Sequence, residues 1–134
     1  KGHELTAFVF FADAPSAANS GNQYILGIAY GSTSLAVFER TVNDNSGGLL
    51  QPSRSGLETI VMEHEFGHLF GLVNYGTPMV NSHEDPNNAR HCNNSNCLMY
   101  YASETTDILG ILITGSVPPL DASCKTDLTA NGGK

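Results

Sequence analysis

Basic residues are scarce in this chain, and that scarcity limits the partners it can have. Only 6 of the 134 residues are lysine or arginine, against 13 aspartates and glutamates, and the formal net charge is −7. The basic residues do not cluster, so the sequence offers no extended surface for phosphate groups. We therefore expect no nucleic-acid partner.

Long apolar runs are also missing from the sequence. The longest one, Leu109 to Ile113 with Gly110 inside it, is far shorter than the roughly 20 residues that cross a bilayer. We therefore expect no transmembrane segment. A chain of 134 residues that is 40% hydrophobic can still bury one core of modest size. We predict a single domain over residues 1–134, acting as a monomer.

Cysteine is too infrequent for a disulfide scaffold. There are three cysteines, Cys92, Cys97 and Cys124, and an odd number allows at most one bridge within the chain. All three lie in the C-terminal third, near histidines. This position indicates that the C-terminal third holds metal ligands and not only core residues. Metal binding is therefore an alternative to a disulfide for the cysteines.

Apolar, β-branched and aromatic residues predict strands in the first third of the chain. Residues 5–11 form an unbroken apolar run, which predicts a buried central strand. Residues 25–42 predict two further strands that meet near Gly31 to Ser34. Within them, residues 27–37 are the candidate for an edge strand.

Turn-forming residues lead into a helix that we predict from about Ser55 to Phe70, with Ser53 or Ser55 as its N-cap. Apolar groups surround this helix, as expected for one in the interior. Gly71 ends it, and the residues up to about Asn96 are typical of a long functional loop. Residues 103–113 predict a closing helix.

The predicted helix carries the chemistry. His64 and His68 are four residues apart, so their side chains project from one face, one turn apart, and can bind the same Zn²⁺. Glu65 follows the first histidine and is placed to act as general base on water, then as acid towards a leaving amine. This HExxH pattern is the signature of zinc peptidases.

A catalytic zinc needs a third protein ligand and keeps its fourth position for water. Gly71 extends the pattern to HExxHxxG, which resembles the metzincin peptidases. In that family the residue three positions after the glycine reaches the metal. Here that residue is Asn74, and asparagine is a poor zinc ligand.

The segment HCNNSNCLM, from His91 to Met99, resembles the end of the archaemetzincin signature, except that nineteen residues (72–90) separate it from the glycine where that subfamily has two. The resemblance implies that His91 is the third ligand. His83 competes with it, and can also hold a second cation or be a polar loop tip. Met99 resembles the methionine that packs beneath the histidines, and Tyr101 the tyrosine that stabilises an oxyanion near the metal.

Archaemetzincins also hold a second, structural zinc between four cysteines. Cys92 and Cys97 resemble the first pair, whereas the second pair is replaced by Asp121 and Cys124. Two disulfide pairings are alternatives to a zinc at these four residues: Cys92 with Cys97, or Cys92 with Cys124. The acidic, lysine-poor composition favours a secreted, cell-envelope or periplasmic protein, and therefore a disulfide.

The resemblance implies an α+β, metzincin-like zincin domain. Residues 1–71 would supply a twisted mixed sheet and the active-site helix, and residues 72–134 the long loop, the Met-turn and a small C-terminal subdomain. Metzincin domains begin with a strand and a helix that we do not find before Leu5, so we expect those N-terminal elements to be missing. The implied function is hydrolysis of a peptide or protein substrate by zinc. The alternative, supported by Asn74, is a catalytically degenerate zinc-containing module that binds a peptide or glycan.

Overall fold

In the described residues, a mixed three-stranded sheet and three helices form the fold. The computed structural model describes residues 6–108 and 116–132. The strands are β1 (Phe8–Ala12), β2 (Gly27–Tyr30) and β3 (Ser34–Phe38). The helices are α1 (Glu39–Asp44), α2 (Arg54–Leu69) and α3 (Ala122–Ala130), with 3₁₀ segments at Tyr101–Glu104 and Thr106–Ile108. The predicted α+β class and mixed sheet are confirmed. No helix in the described part of the chain is long and apolar enough to cross a membrane.

The sheet has the strand order β1-β3-β2. Strand β3 pairs with β1 in parallel and with β2 in an antiparallel hairpin, as the pattern of residues 25–42 predicts. The prediction that residues 5–11 form a buried central strand is wrong, because β1 lies at the edge and Phe8 and Phe10 are 65% and 66% exposed. An apolar run signals strand propensity but does not determine how many neighbours the strand has.

Helix α2 begins and ends where local sequence signals place it. The Ser53 side chain accepts a hydrogen bond from the Gly56 amide at 3.1 Å, which caps the N-terminus. At the other end Gly71 adopts a φ of 81°, and its amide donates to the His68 carbonyl at 2.9 Å. The next amide donates to the Gly67 carbonyl at 3.1 Å, completing a Schellman motif.

The inner face of the sheet packs on α2, and the main core lies between them. Its buried members are Leu26, Leu35, Val37, Val42, Leu57, Ile60, Val61, Leu98 and Ile108. Strand β2 approaches the helix so closely at Gly27 that a Cβ there would collide with Val61 and lie 2.9 Å from an oxygen of Glu65. This close contact packs β2 against α2 at Val61 and Glu65, where the HExxH segment begins.

The chain from residue 70 to residue 100 contains no helix or longer strand, so the predicted long loop is confirmed. Within it, residues 83–85 pair with residues 91–93: the Asp85 amide donates to the His91 carbonyl at 2.7 Å, and the Asn93 amide to the His83 carbonyl at 2.9 Å. In residues 103–108 of the predicted closing helix the structure has the two 3₁₀ segments, whereas residues 109–113 of that prediction lie outside the described residues. Helix α3 was not predicted.

Candidate metal centres

Three histidines and one glutamate bring their ligand atoms together above α2. This histidine cluster consists of His64, His68, His91 and Glu104, with the four ligand atoms within 4.8 Å of one another. The Nε2 atoms of His64 and His68 are 3.1 Å apart, and His91 Nε2 lies 3.3 Å from a Glu104 oxygen. A tetrahedral zinc with bonds of about 2.0–2.1 Å places two ligand nitrogens about 3.3 Å apart. The spacing therefore suits such an ion.

Backbone carbonyls orient two of the three rings. His64 Nδ1 lies 2.7 Å from the Leu98 carbonyl, and His91 Nδ1 lies 3.0 Å from the Ala89 carbonyl. Each Nδ1 must donate its proton to be bonded there, so each Nε2 keeps a lone pair that points into the cluster. This is the arrangement that histidine ligands of metals usually have.

Burial keeps His64 and His68 neutral. It lowers the pKa of His64 to about 4 and, together with the neighbouring His64 ring, lowers the pKa of His68 to about 2. At neutral pH two uncharged imidazoles thus face each other with their Nε2 atoms in close contact. Such a pair needs a proton or a cation between the two nitrogens, and its neutral rings are in the state that binds metal.

Glu65 is buried beside this cluster without being one of its four members. Neither carboxylate oxygen has a hydrogen-bond partner among residues 6–108 and 116–132. Burial, reinforced by the charge of Glu104, raises the pKa of Glu65 well above its ordinary value. An isolated buried carboxylate is costly, and a nearby divalent cation would stabilise it. The residues present therefore fit a divalent metal.

The histidine cluster opens on a cavity of about 230 Å³ beneath strand β2. Its lining includes His68, Tyr75, Arg90, His91 and Glu104. A second hollow of about 280 Å³ also borders His68, Tyr75 and Arg90. The two hollows therefore adjoin at these three residues, and together they give the cluster access to solvent.

Tyr75 stands at the junction of the two hollows. Its ring centroid is 5.0 Å from that of His68, and its hydroxyl donates to the Ala29 carbonyl at 3.3 Å. The Arg90 guanidinium lies over the Tyr75 ring, 5.1 Å from the centroid, as in a cation–π contact. A hydroxyl and a cation thus border the cavity on the side of His68.

The structure brings His91, rather than Asn74 or His83, to the two helix histidines. The Asn74 side chain instead reaches Glu84, at 3.4 Å. His83 lies at the cysteines, with Nε2 3.5 Å from the Cys124 sulfur. His91 is therefore the loop histidine that joins His64 and His68, and residues 72–90 belong to the loop that precedes it.

Met99 and Tyr101 have different surroundings. Met99 is fully buried, and its sulfur touches the space where a Cβ on Gly67 would lie, one residue before His68. This placement agrees with the packing that the resemblance implies. Tyr101 stacks obliquely on Tyr100, with ring centroids 4.6 Å apart, and is not among the residues that line the cavity.

Glu104, Tyr75 and Arg90 are site residues that the sequence did not indicate. Glu104 arrives because residues 24–26 pair with residues 104–106, including a bond of 2.7 Å from the Leu26 amide to the Glu104 carbonyl. Tyr75 and Arg90 come from the irregular loop. None of the three lies at a spacing that marks a motif, so no local signal could have identified them.

A second group, the cysteine cluster, consists of Cys92, Cys97, Asp121 and Cys124, whose ligand atoms also lie within 4.8 Å of one another. All three thiols are buried and free, contrary to the expected disulfide. The Cys97 and Cys124 sulfurs are 3.5 Å apart, and this contact lowers the pKa of Cys97. A buried thiolate among thiols is a donor set that fits a metal ion.

No family model matches the chain, and neither a curated protein nor a solved structure is similar to it.

Proposed function

We propose that the protein is a zinc-dependent peptidase of the metzincin type. One observation carries the proposal: three histidine Nε2 atoms converge at a cavity that solvent can reach, beside the buried Glu65 carboxylate, which has no hydrogen-bond partner within the described part of the chain. Three imidazoles with an adjacent carboxylate are the donor set of catalytic zinc sites. The resemblance to archaemetzincins from His64 to Met99 supports the same activity.

His64, His68 and His91 would hold the zinc, and the Leu98 and Ala89 carbonyls keep the His64 and His91 rings in the binding tautomer. When bound, zinc supplies Lewis acidity for the attacking water and the substrate carbonyl. Glu65 accepts the proton of the attacking water and delivers it to the leaving amine. Its raised pKa favours holding that proton between the two events.

The substrate would lie along strand β2 as an extended peptide. The Ala29 carbonyl borders the cavity and can pair with a substrate amide, as in strand addition to a sheet edge. When a substrate amide takes the Ala29 carbonyl, the Tyr75 hydroxyl that donates to that carbonyl at 3.3 Å would be released, and it, rather than that of Tyr101, would donate to the developing oxyanion. Arg90, beside Tyr75, would favour an acidic side chain or carboxylate of the substrate.

The competing function is a zinc-containing module that binds a peptide or glycan without cleaving it. Glu104 favours this alternative, because its carboxylate lies 3.3 Å from His91 Nε2 and 3.8 Å from His64 Nε2. If Glu104 were a permanent fourth ligand, the site would be closed and inactive. In the peptidase, Glu104 does not hold the metal, and Glu104→Gln retains full zinc occupancy.

The deciding experiment combines zinc content with hydrolysis of casein and of a fluorogenic peptide library. We expect Glu65→Gln to keep its zinc and to lose roughly 10²- to 10⁴-fold in rate, the usual contribution of a general base. Glu63→Gln is the matched control, since Glu63 is exposed on the same helix, and it should behave as the wild type. His91→Ala should lose the metal of the histidine cluster.

Two outcomes would contradict the peptidase. Zinc-loaded wild type that cleaves no peptide in the library would favour the binding module. Loss of zinc from Glu104→Gln would indicate a site closed by four protein ligands.

A further inference from the structure

The second hollow, of about 280 Å³, differs in charge from the cavity beneath β2. The cavity is lined by Glu104 as well as Arg90. Among the described residues, Arg90 is the only lysine, arginine, aspartate or glutamate that lines the second hollow. His68 also lines it and is neutral, because burial lowers its pKa to about 2. Ser32 adds a hydroxyl. The second hollow is therefore suited to an anionic group.

The Arg90 guanidinium is available to such a group. In the described part of the chain, Arg40 and Arg54 are each paired with a carboxylate, whereas Arg90 is in no ion pair. An unpaired arginine is unexpected in a chain with 13 acidic and only 6 basic residues. The contact with the Tyr75 ring, at 5.1 Å, leaves the N–H donors of the guanidinium able to bind a carboxylate through two hydrogen bonds.

Glu84 fixes two of the residues that line the second hollow. Its Oε1 accepts from the Arg90 backbone amide at 2.5 Å, and its Oε2 accepts from the Asn74 side chain at 3.4 Å. The Glu84 carboxylate therefore bonds to the backbone of Arg90 and leaves the guanidinium unpaired.

The two residues that Glu84 holds have a strained backbone. Asn74 has a φ of 61° and Arg90 a φ of 70°, which is the left-handed region that costs free energy in residues other than glycine. Such residues concentrate at ligand sites, because the surrounding structure has to hold them in place. The hydrogen bonds to Glu84 supply that restraint, and they fix the direction in which the Arg90 side chain leaves the loop.

We infer that the second hollow is a subsite for a carboxylate of the peptide substrate, that Arg90 determines this specificity, and that Glu84 positions Arg90. The inference rests on the proposed function for its peptide ligand, although a peptide-binding module would use the same subsite. Because His68 borders both hollows, the carboxylate belongs to a residue close to the bond that is cleaved. An aspartate or glutamate side chain and the C-terminus of a peptide share this chemistry, and the test separates them.

The test uses pairs of peptides that differ only in one carboxylate. In the first series, glutamate or glutamine occupies each position near the cleaved bond in turn, and the C-terminus is amidated. In the second series the interior is neutral, and the C-terminus is free or amidated. The readout is the ratio of kcat/KM between the charged and the neutral peptide of a pair. We expect a ratio of about 10 for the wild type in one series, since a hydrogen-bonded ion pair at an exposed arginine contributes about that factor. The ratio should fall in high salt.

Variants of two arginines and of Glu84 assign the ratio to the second hollow. Arg90→Gln should lower it to about 1, and Arg90→Glu should lower it further through repulsion. Arg40→Gln is the matched control, because it changes the net charge equally but lines neither hollow, and it should keep the wild-type ratio. Glu84→Ala should lower the ratio through KM rather than kcat. Glu84→Gln should restore it, because its amide oxygen can still accept from the Arg90 amide.

Binding measurements separate this inference from the peptidase. Fluorescence anisotropy of the same peptides with zinc-loaded Glu65→Gln gives the ratio of Kd values without hydrolysis. A charged peptide that binds about tenfold more tightly than its neutral partner, and only when Arg90 is present, supports the subsite even if the wild type cleaves nothing. A charged peptide that is neither bound more tightly nor cleaved faster than its neutral partner would overturn the inference and leave the peptidase standing. A preference that survives in Arg90→Gln would overturn it as well.

Discussion

The histidine cluster and the cysteine cluster share a short stretch of chain, yet they differ in access. His91 and Cys92 are neighbours in sequence, but His91 lines a cavity of about 230 Å³, whereas the Cys92 side chain is fully buried. The histidine cluster also has a partnerless carboxylate beside it, at Glu65. Metal ligands alone therefore do not make a candidate catalytic site, which also needs access to solvent and an adjacent base.

The segment from Cys92 to Met99 connects the two clusters. The Cys92 amide donates to the Met99 carbonyl at 2.7 Å, which closes the turn that carries Cys97. The Leu98 carbonyl in the same turn orients His64. A metal at the cysteines would therefore rigidify the segment that positions two histidines, as a supporting shell does for a catalytic site.

The largest effect is expected at the histidine cluster, which opens on the cavity. We expect Tyr75→Phe to lower kcat/KM about 10²-fold, because it removes a hydroxyl placed to stabilise the oxyanion. Zinc content and thermal stability should stay the same. Tyr101→Phe is the matched control and should retain wild-type kinetics. The reverse result would assign the oxyanion role to Tyr101, as the resemblance to metzincins implies.

A smaller effect is expected where Gly67 of α2 contacts Met99, a contact that borders both clusters. We expect Gly67→Ala to destabilise the fold by about 1–3 kcal/mol, because the new methyl group would overlap the Met99 side chain. Urea unfolding measures the change. Gly56→Ala in the same helix is the control, where a Cβ would touch only the Ser53 hydroxyl, and it should be neutral or stabilising. Equal destabilisation by both variants would show that the Met99 contact is unimportant.

The smallest effect concerns pH and applies to the metal-free protein. Burial lowers the pKa of His68 to about 2, whereas an unfolded histidine titrates near about 6.5. Below about pH 6.5 the unfolded state therefore binds a proton that folded His68 excludes, so stability falls with falling pH. Between about pH 7 and pH 5.5 the wild type should lose about 1 kcal/mol more than His68→Asn. Identical pH profiles of the two proteins would mean that His68 binds its proton equally well in the folded and the unfolded state.

The sequence predicts α2 and its pair of histidines well because their geometry is local. Capping by Ser53, the turn at Gly71 and the four-residue spacing of the histidines depend only on residues within the helix and its ends. Strand β1 shows the limit of such reasoning. Its apolar run is a strand, but its position at the sheet edge depends on pairing with β3, far along the chain.

His91 occupies an intermediate position between these cases. No local spacing places it near His64, and only the resemblance of residues 91–99 to a known signature indicated it. The structure then brings it to the cluster through the pairing of residues 83–85 with residues 91–93. The same pairing belongs to the loop that brings His83 Nε2 to 3.5 Å from the Cys124 sulfur, beside the cysteine cluster that includes Asp121.

The sequence by itself determined the helix, the pair His64 and His68, and the adjacent Glu65, because a 3.6-residue period fixes which side chains share a face. Only the tertiary structure decided which loop histidine joins the histidine cluster and which residues line the cavity. Loop conformation depends on hydrogen bonds and burial between distant segments, and such contacts leave no periodic trace in the sequence.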